Sequence, residues 1–173
     1  MPAVEPAPVP EDVGIAVLTI TSTRSLEEDE PGDRIVELLE RAGYEVSIRE
    51  LINDDFDQIQ RTVDRLVDRD DVYAIIVTGG LGLHGRDVTE EAIKAVLRKS
   101  LPGIGELVRA RLYASSGTHT VVDRSFAGVR EGVVVCCLPA VVEVVELALE
   151  EVLLPELEYL VGLARVGLAD DEV

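Results

Sequence analysis

The sequence predicts an α/β fold in three layers, α/β/α: a mostly parallel sheet sandwiched by helices, with a β-hairpin late in the chain. Three observations carry this. Continuous apolar runs of strand length recur, as expected for strands covered on both faces. Between them lie segments whose apolar residues repeat at helical spacing. The alternation of the two kinds of segment favours parallel pairing, because each crossover must bring the chain back to the same edge.

The elements follow in order. "MPAVEPAPVPED" holds four of the eight prolines and shows neither period, so 1–12 reads as a flexible arm. "GIAVLTI", Gly14 to Ile20, reads as a buried strand, and "TSTRSLEEDEPG" as a polar loop. "DRIVELLERAG" places Ile35, Leu38, Leu39 and Ala42 on one helical face and stops at Gly43. "YEVSIREL" alternates as a strand does. A second helix follows, with Ile59, Val63, Leu66 and Val67 as its stripe. "VYAIIV" is the next buried strand, and "TEEAIKAVLRKS" a third helix with Ala92, Ile93, Val96 and Leu97 inward. "LPGIGELVRARLY" reads as a fourth helix behind a Pro-Gly turn. "THTVVDRSFAGVREGVVVCCLP" reads as two strands around Arg130-Glu131-Gly132. "VVEVVELALEEVLLPELEYLVGLA" is helical, bent or broken at Pro155, and its apolar excess points to burial against the sheet or in a subunit contact. The expected boundaries are an arm over 1–12, one domain over 13–164 and an acidic tail over 165–173.

The 173 residues suit a single domain with a sizeable core, mainly aliphatic because aromatics make up only 3%. No apolar run reaches the roughly 18–20 residues of a membrane span, and no secretory signal is visible, which leaves the cytoplasm as the expected compartment and no membrane partner. The net charge of −18 repels phosphate backbones, so no nucleic-acid partner is expected. Only Lys94 and Lys99 are lysines among 16 basic residues. Acid excess with so little lysine matches the bias of salt-loving archaea; an ordinary acidic protein is the alternative. Cys136 and Cys137 are neighbours on a strand and so point to opposite faces, which argues against a disulfide or a metal pair.

In parallel sheets ligands sit beyond the carboxyl ends of the strands. The ends here carry "TSTR", "NDD", "TGGLGLHGRD" and "LPAVV". Glycines after a buried strand let a backbone approach a ligand closely, and the following helix start adds free N–H groups and partial positive charge. By itself such a signal is weak, since a three-glycine turn is more often just a turn.

The company it keeps is informative. "TGGLGLHGRDVTEEAI" resembles the pattern "TGGTG…RDVTPEA", "PGIGELVR" resembles "PGFGELFR", and "STRSLEEDEPGDRIVELLERAGYEV" and "CLP…ALEEVLLPEL" fit alongside. From about Ile15 to Gly162 the chain resembles MoaB/Mog-type molybdopterin-binding proteins of molybdenum cofactor biosynthesis. The resemblance implies a three-layer α/β domain assembled as a homotrimer or hexamer. It implies ligands molybdopterin and ATP with Mg2+, and transfer of AMP from ATP to the molybdopterin phosphate with release of pyrophosphate. By motif, Asp54 and Asp87 take the places of the catalytic, metal-binding carboxylates. Thr78, Gly79, Gly80, Gly82, Arg86 and Arg24 take places that bind the ligands. The spacing of these residues also admits plainer roles. Asp87 with Glu90 fits a helix-capping pair, Asp54 fits a cap of the next helix, and exposed arginines are commonly just solvated.

The chain also departs from the pattern. Leu81 stands for the threonine of "GGTG", His84-Gly85 for "TP", Ser22 for the acid of "SDTR", and Asp123 for the serine of "LSR". "LPGSPGAV" becomes "LPAVVEVV", so Ala140, Val141, Val142 and Glu143 replace a second ligand loop. Valines resist positive φ, and Glu143 adds a charge that repels anions. Besides an adenylyltransferase, the sequence therefore admits an impaired paralogue that binds pterin or nucleotide, and a structural subunit.

Overall fold

A computed structural model of the chain describes residues 5–10 and 13–166. Six strands form one sheet in the order β2-β1-β3-β6-β5-β4. They are β1 (Gly14–Ile20), β2 (Glu45–Ile52), β3 (Ala74–Thr78), β4 (Lys99–Ser100), β5 (Phe126–Arg130) and β6 (Val133–Leu138). The helices are α1 (Glu30–Arg41), α2 (Phe56–Val67), α3 (Thr89–Val96), α4 (Pro102–Ser116), α5 (Val142–Ala148) and α6 (Leu157–Ala164). β1, β2, β3 and β6 pair in parallel, while β5 runs antiparallel to β6 and to β4.

Strand alternation builds the three layers. Ile15 and Val17 of β1, Ile76 of β3 and Cys136 of β6 face one core with Ile35 and Leu39 of α1, Val108 of α4, Val145 of α5 and Val161 of α6. Ala16, Leu18, Val77 and Cys137 face the other, with Ile59 and Val63 of α2 and Ile93 of α3. The neighbouring cysteines are thus free and lie on opposite faces, and burial pushes the Cys136 thiol up to about 12.

Several expectations change in detail. Ala42 is exposed, because α1 has ended there and Gly43 turns the chain at φ +90. The third helix stops at Val96, since Leu97 is extended and Lys99–Ser100 joins the sheet edge. "THTVV" is no strand: Gly117–Val122 is a 3-10 turn, and the hairpin begins at Phe126. Its two-residue turn, Glu131 (φ 45) and Gly132 (φ 77), has the positive angles that suit a tight hairpin. After α5 the chain continues as a π-helical turn, Leu149–Leu153, and a 3-10 turn, Leu154–Glu156, before α6; Pro155, with no N–H to donate, sits in that break. Part of the segment read as an arm is docked: the Ala7 N–H donates to the Gly162 carbonyl (3.1 Å), and Val9 packs on the core. The rest of the arm, 1–4 and 11–12, and the tail over 167–173 lie outside the described residues. No helix among the described residues is long and apolar enough to cross a membrane.

Asp29 anchors the ligand-side edge from within. It is fully buried, caps α1 through the Gly32 N–H (3.1 Å), accepts the Thr19 hydroxyl (2.7 Å) and faces Arg49 of β2 (3.2 Å). Three elements therefore meet on one carboxylate, and Asp29→Ala leaves Thr19 and the α1 amide unmet. The expected loss is about 2–4 kcal/mol, read as a lower midpoint in chemical denaturation with an unchanged slope.

Candidate functional site

The parallel pairing sends four loops off the same edge. The ladder extends one step beyond the strands: the Thr21 N–H donates to Ile52 O (2.9 Å) and the Gly79 N–H to Leu138 O (3.1 Å). Segments 21–29, 53–55, 79–88 and 139–141 thus leave side by side.

The glycine loop needs its glycines for stated reasons. Gly79 and Gly80 have φ +96 and +64, in the left-handed region that favours glycine. A β-carbon on Gly79 would strike the Ile20 carbonyl, so β1 and the loop touch backbone to backbone. One on Gly80 would strike the Thr89 hydroxyl and lie 3.0 Å from Asp54 Oδ1. One on Gly82 would press on the Asp87 carboxylate at 2.5 Å. The loop closes where the Thr89 N–H donates to Gly80 O (3.1 Å).

Both carboxylates lie at this edge, and neither is a helix cap. Asp55, not Asp54, caps α2: its Oδ1 accepts the Gln58 N–H at 2.7 Å. α3 begins behind Val88 with no side-chain cap, and Asp87 Oδ2 instead accepts the His84 N–H (3.0 Å). The two capping readings thus give way. Asp54 Oδ2 accepts from Ser22 Oγ (3.3 Å), while its Oδ1 is buried with no partner among the described residues, as are the hydroxyls of Thr78 and Thr89. Burial pushes the Asp54 carboxyl up. The Ser22 hydrogen bond opposes that shift, and the charge of Asp87 adds to it.

The other expected residues are placed less uniformly. Gly79 and Gly80 sit between β1, Asp54 and Thr89, whereas Arg86 is exposed on the outer arm with His84. Arg24 lies across the edge, lining a cavity of about 420 Å3 with Ala140, Val141, Glu143, Glu28 and Glu30. Neither Arg24 nor Arg86 stands in an ion pair among the described residues, in contrast to most arginines here. Leu81, which takes the place of a threonine in the motif, turns into the core at 3% exposure and anchors the loop.

Three contributors were missed as site residues. Ser22 holds Asp54, Thr89 backs Gly80, and Arg124 donates to the Gly82 carbonyl at 2.7 Å. The Thr89 side of this was visible in "RDVT"; the contact from Arg124 has no local signal, because it spans 42 residues.

Two carboxylates with a buried free oxygen, beside backbone that a phosphate can approach, suit Mg2+. That ion takes one or two carboxylates and completes its shell with water and substrate phosphate. Among the described residues no cluster of three or more acid, histidine or cysteine ligands exists, which argues against a fully protein-made metal cage.

The raised carboxyl of Asp54 fixes a sign. Because the folded protein prefers the protonated form, ionised Asp54 weakens the fold as pH rises above the unfolded carboxylate range near ~3.9. In metal-free buffer Asp54→Asn, which keeps an acceptor for Ser22, is expected to melt higher than the parent at pH 7. The advantage should vanish below pH ~3.9; thermal melts across pH check it.

Comparison with known proteins bears on this geometry. Residues 16–159 match the family model described as a probable molybdopterin binding domain. Molybdenum cofactor biosynthesis protein B of Halalkalibacterium halodurans is 36% identical over 151 residues, 87% of this chain and 89% of that protein. A crystal structure of a molybdenum cofactor biosynthesis protein B superposes with TM-score 0.84 at 35% identity, covering 89% of this chain and 96% of that one. The tungsten cofactor synthesizing protein MoaB of Pyrococcus furiosus superposes with TM-score 0.81 at 29% identity, covering 91% and 99%. With the matched region spanning both carboxylates, the glycine loop, most of β1 and the other five strands, the chain belongs to the molybdopterin-binding domain family, as a molybdenum cofactor biosynthesis protein of the MoaB type.

Proposed function

We propose that the chain binds molybdopterin and ATP with Mg2+ at this edge, in the cytoplasm, and transfers AMP to the molybdopterin phosphate. The observation that carries the reading is that Asp54 and Asp87 both abut the glycine loop while neither caps a helix. In the reaction a phosphate oxygen of molybdopterin bonds to the α-phosphorus of ATP, and the bond from that phosphorus to the bridging oxygen breaks, releasing pyrophosphate. Asp54 and Asp87 are the residues that would hold Mg2+, which when bound supplies positive charge to the phosphates. The loop backbone around Gly79, Gly80 and Gly82 gives the phosphates close access. Arg86 and Arg24 offset charge from two sides. Thr78, expected among the ligand-binding residues, ends β3 fully buried with its hydroxyl unpartnered among the described residues.

A second reading, ligand binding without turnover, is favoured by one place. Val141 is extended (φ −128, ψ 117) and stands at the start of α5 with no side-chain cap, and Glu143 occupies the first turn. Its neighbours Glu28 and Glu30 make that cavity acid-rich.

Purified protein with molybdopterin, ATP and Mg2+ in high salt separates the two readings. AMP transfer that falls about 100-fold or more in Asp87→Asn supports catalysis; calorimetric binding with no transfer supports the second. The combined change Ala140→Gly, Val141→Ser, Val142→Pro and Glu143→Gly should tighten binding in either case. Serine at the cap position and proline at the first helical position suit α5. Two restored hydrogen bonds to phosphate, each worth roughly 1.5–3 kcal/mol, amount to about two to four powers of ten in affinity. No gain on repair would sink the account of this loop.

The same reading includes assembly as a homotrimer or hexamer. The apolar excess from Val141 to Leu154 does not itself argue for it, since Val145, Ala148, Leu149, Val152 and Leu153 are buried within the chain. Exposed apolar residues on and after α4, Leu107, Tyr113, Val121 (84% exposed) and Val122, are the surface that supports it instead. Light scattering in high salt, where the −18 charge is screened, is expected to give three or six chains. A clean monomer would overturn the assembly.

A further inference from the structure

Arg124 occupies an unusual place. It lies between the turn Gly117–Val122 and β5, on a base fixed from both sides. Ser125 donates its N–H (3.2 Å) and its hydroxyl (2.9 Å) to the Asp123 carboxylate. Arg109 of α4 donates to the Ser125 carbonyl (2.9 Å) and stands 3.7 Å from Asp123. From this base the guanidinium reaches three acceptors at the glycine loop. Nε meets Glu90, Nη2 meets Glu91, and Nη1 donates to Gly82 O at 2.7 Å. Its side chain is 21% exposed.

The consequences converge on Asp87. Gly82 packs directly against the Asp87 carboxylate, and that carboxylate closes the His84–Asp87 turn. Fixing the Gly82 peptide therefore fixes the surface on which Asp87 rests. The fork geometry of arginine suits this task, because three acceptors in different directions need a rigid planar donor. Arg124 also offsets Glu90 and Glu91, two acids in the first turn of α3, where an anionic ligand would otherwise meet them.

We infer that Arg124 is a positioning residue that clamps the outer arm of the glycine loop and, through Gly82, sets the Asp87 carboxylate. The inference rests on the reading of this loop as a phosphate site.

The test compares the full-length protein with Arg124→Met, Arg124→Lys and the triple variant Arg124→Met, Glu90→Gln, Glu91→Gln. Two readouts are used: calorimetry with ATP and Mg2+, and amide hydrogen exchange by residue. Arg124→Met is expected to weaken ATP–Mg2+ binding about tenfold or more and to speed exchange over 80–87 while β1 and β3 stay protected. Arg124→Lys, which restores the charge without the fork, is expected to leave that exchange fast; it also serves if the methionine variant does not fold. The triple variant separates positioning from charge, and it is expected to bind as weakly as Arg124→Met. Full affinity in the triple variant, or unaltered exchange in Arg124→Lys, overturns the clamp. If the parent protein binds no ATP–Mg2+, the phosphate-site reading fails, and the exchange data still decide whether Arg124 orders the loop.

Discussion

The parallel register of β1, β3 and β6 is the constraint on which the site depends. Thr19 pairs with Thr78, and Thr78 with Leu138, so three strands end as one row. Both faces of that row are covered by separate cores. A slip of one residue would exchange every side chain between them, so the register is held by the whole interior rather than by the loops. Asp54 and Asp87, from different crossovers, become neighbours only because their strands end at the same height. The contact of Gly79 with the Ile20 carbonyl extends that tight packing one residue past the sheet.

Charge is organised around the same edge. The chain carries 34 acids against 16 bases, and many arginines join elements. Arg34 ties α1 to Glu146 of α5, Arg65 ties α2 to Glu50 of β2, and Arg130 ties β5 to Asp64 of α2. Pairs as exposed as these contribute about 0–1 kcal/mol each, so their weight lies in where they hold the helices more than in stability. An anionic ligand approaching this surface meets repulsion almost everywhere. Arg24 and Arg86, in no ion pair among the described residues, stand on the loops of this edge.

Much of this was legible from the residues, and the limits were physical. Buried strands gave continuous apolar runs, and the stripes Ile59, Val63, Leu66, Val67 and Ile35, Leu38, Leu39 lie inward as their spacing indicates. "THTVV" misled because its β-branched residues favour a strand by propensity, whereas the chain there makes a 3-10 turn between α4 and β5. The apolar run of α5 and the π-helical turn left two uses open, and the core took it. At the site, motif order located Asp54, Asp87 and the glycines. Which of Asp54 and Asp55 caps α2 could not be read from adjacent aspartates, because either can reach a first-turn amide until the backbone entry angle is known. The anchors Asp29 and Arg124 were harder still, since each acts between segments distant in sequence.

The edge is not symmetric, and the asymmetry follows from where its amides point. On the glycine-loop side Gly79 is buried with its N–H on the Leu138 carbonyl, Gly80 is half-buried and Gly82 exposed, and Asp54 and Thr89 keep buried oxygen atoms without partners among the described residues. On the other side the Val141 N–H is already spent on the Pro139 carbonyl at 2.8 Å, and the next turn presents Glu143. That side has closed on itself. Its sequence can do so without harm to the fold, because Val145, Ala148 and Leu149, just beyond it, carry the burial that holds α5. The residues that hold α5 to the core are thus distinct from those that line this edge. Arg24 lines the second cavity together with three acids, Glu28, Glu30 and Glu143.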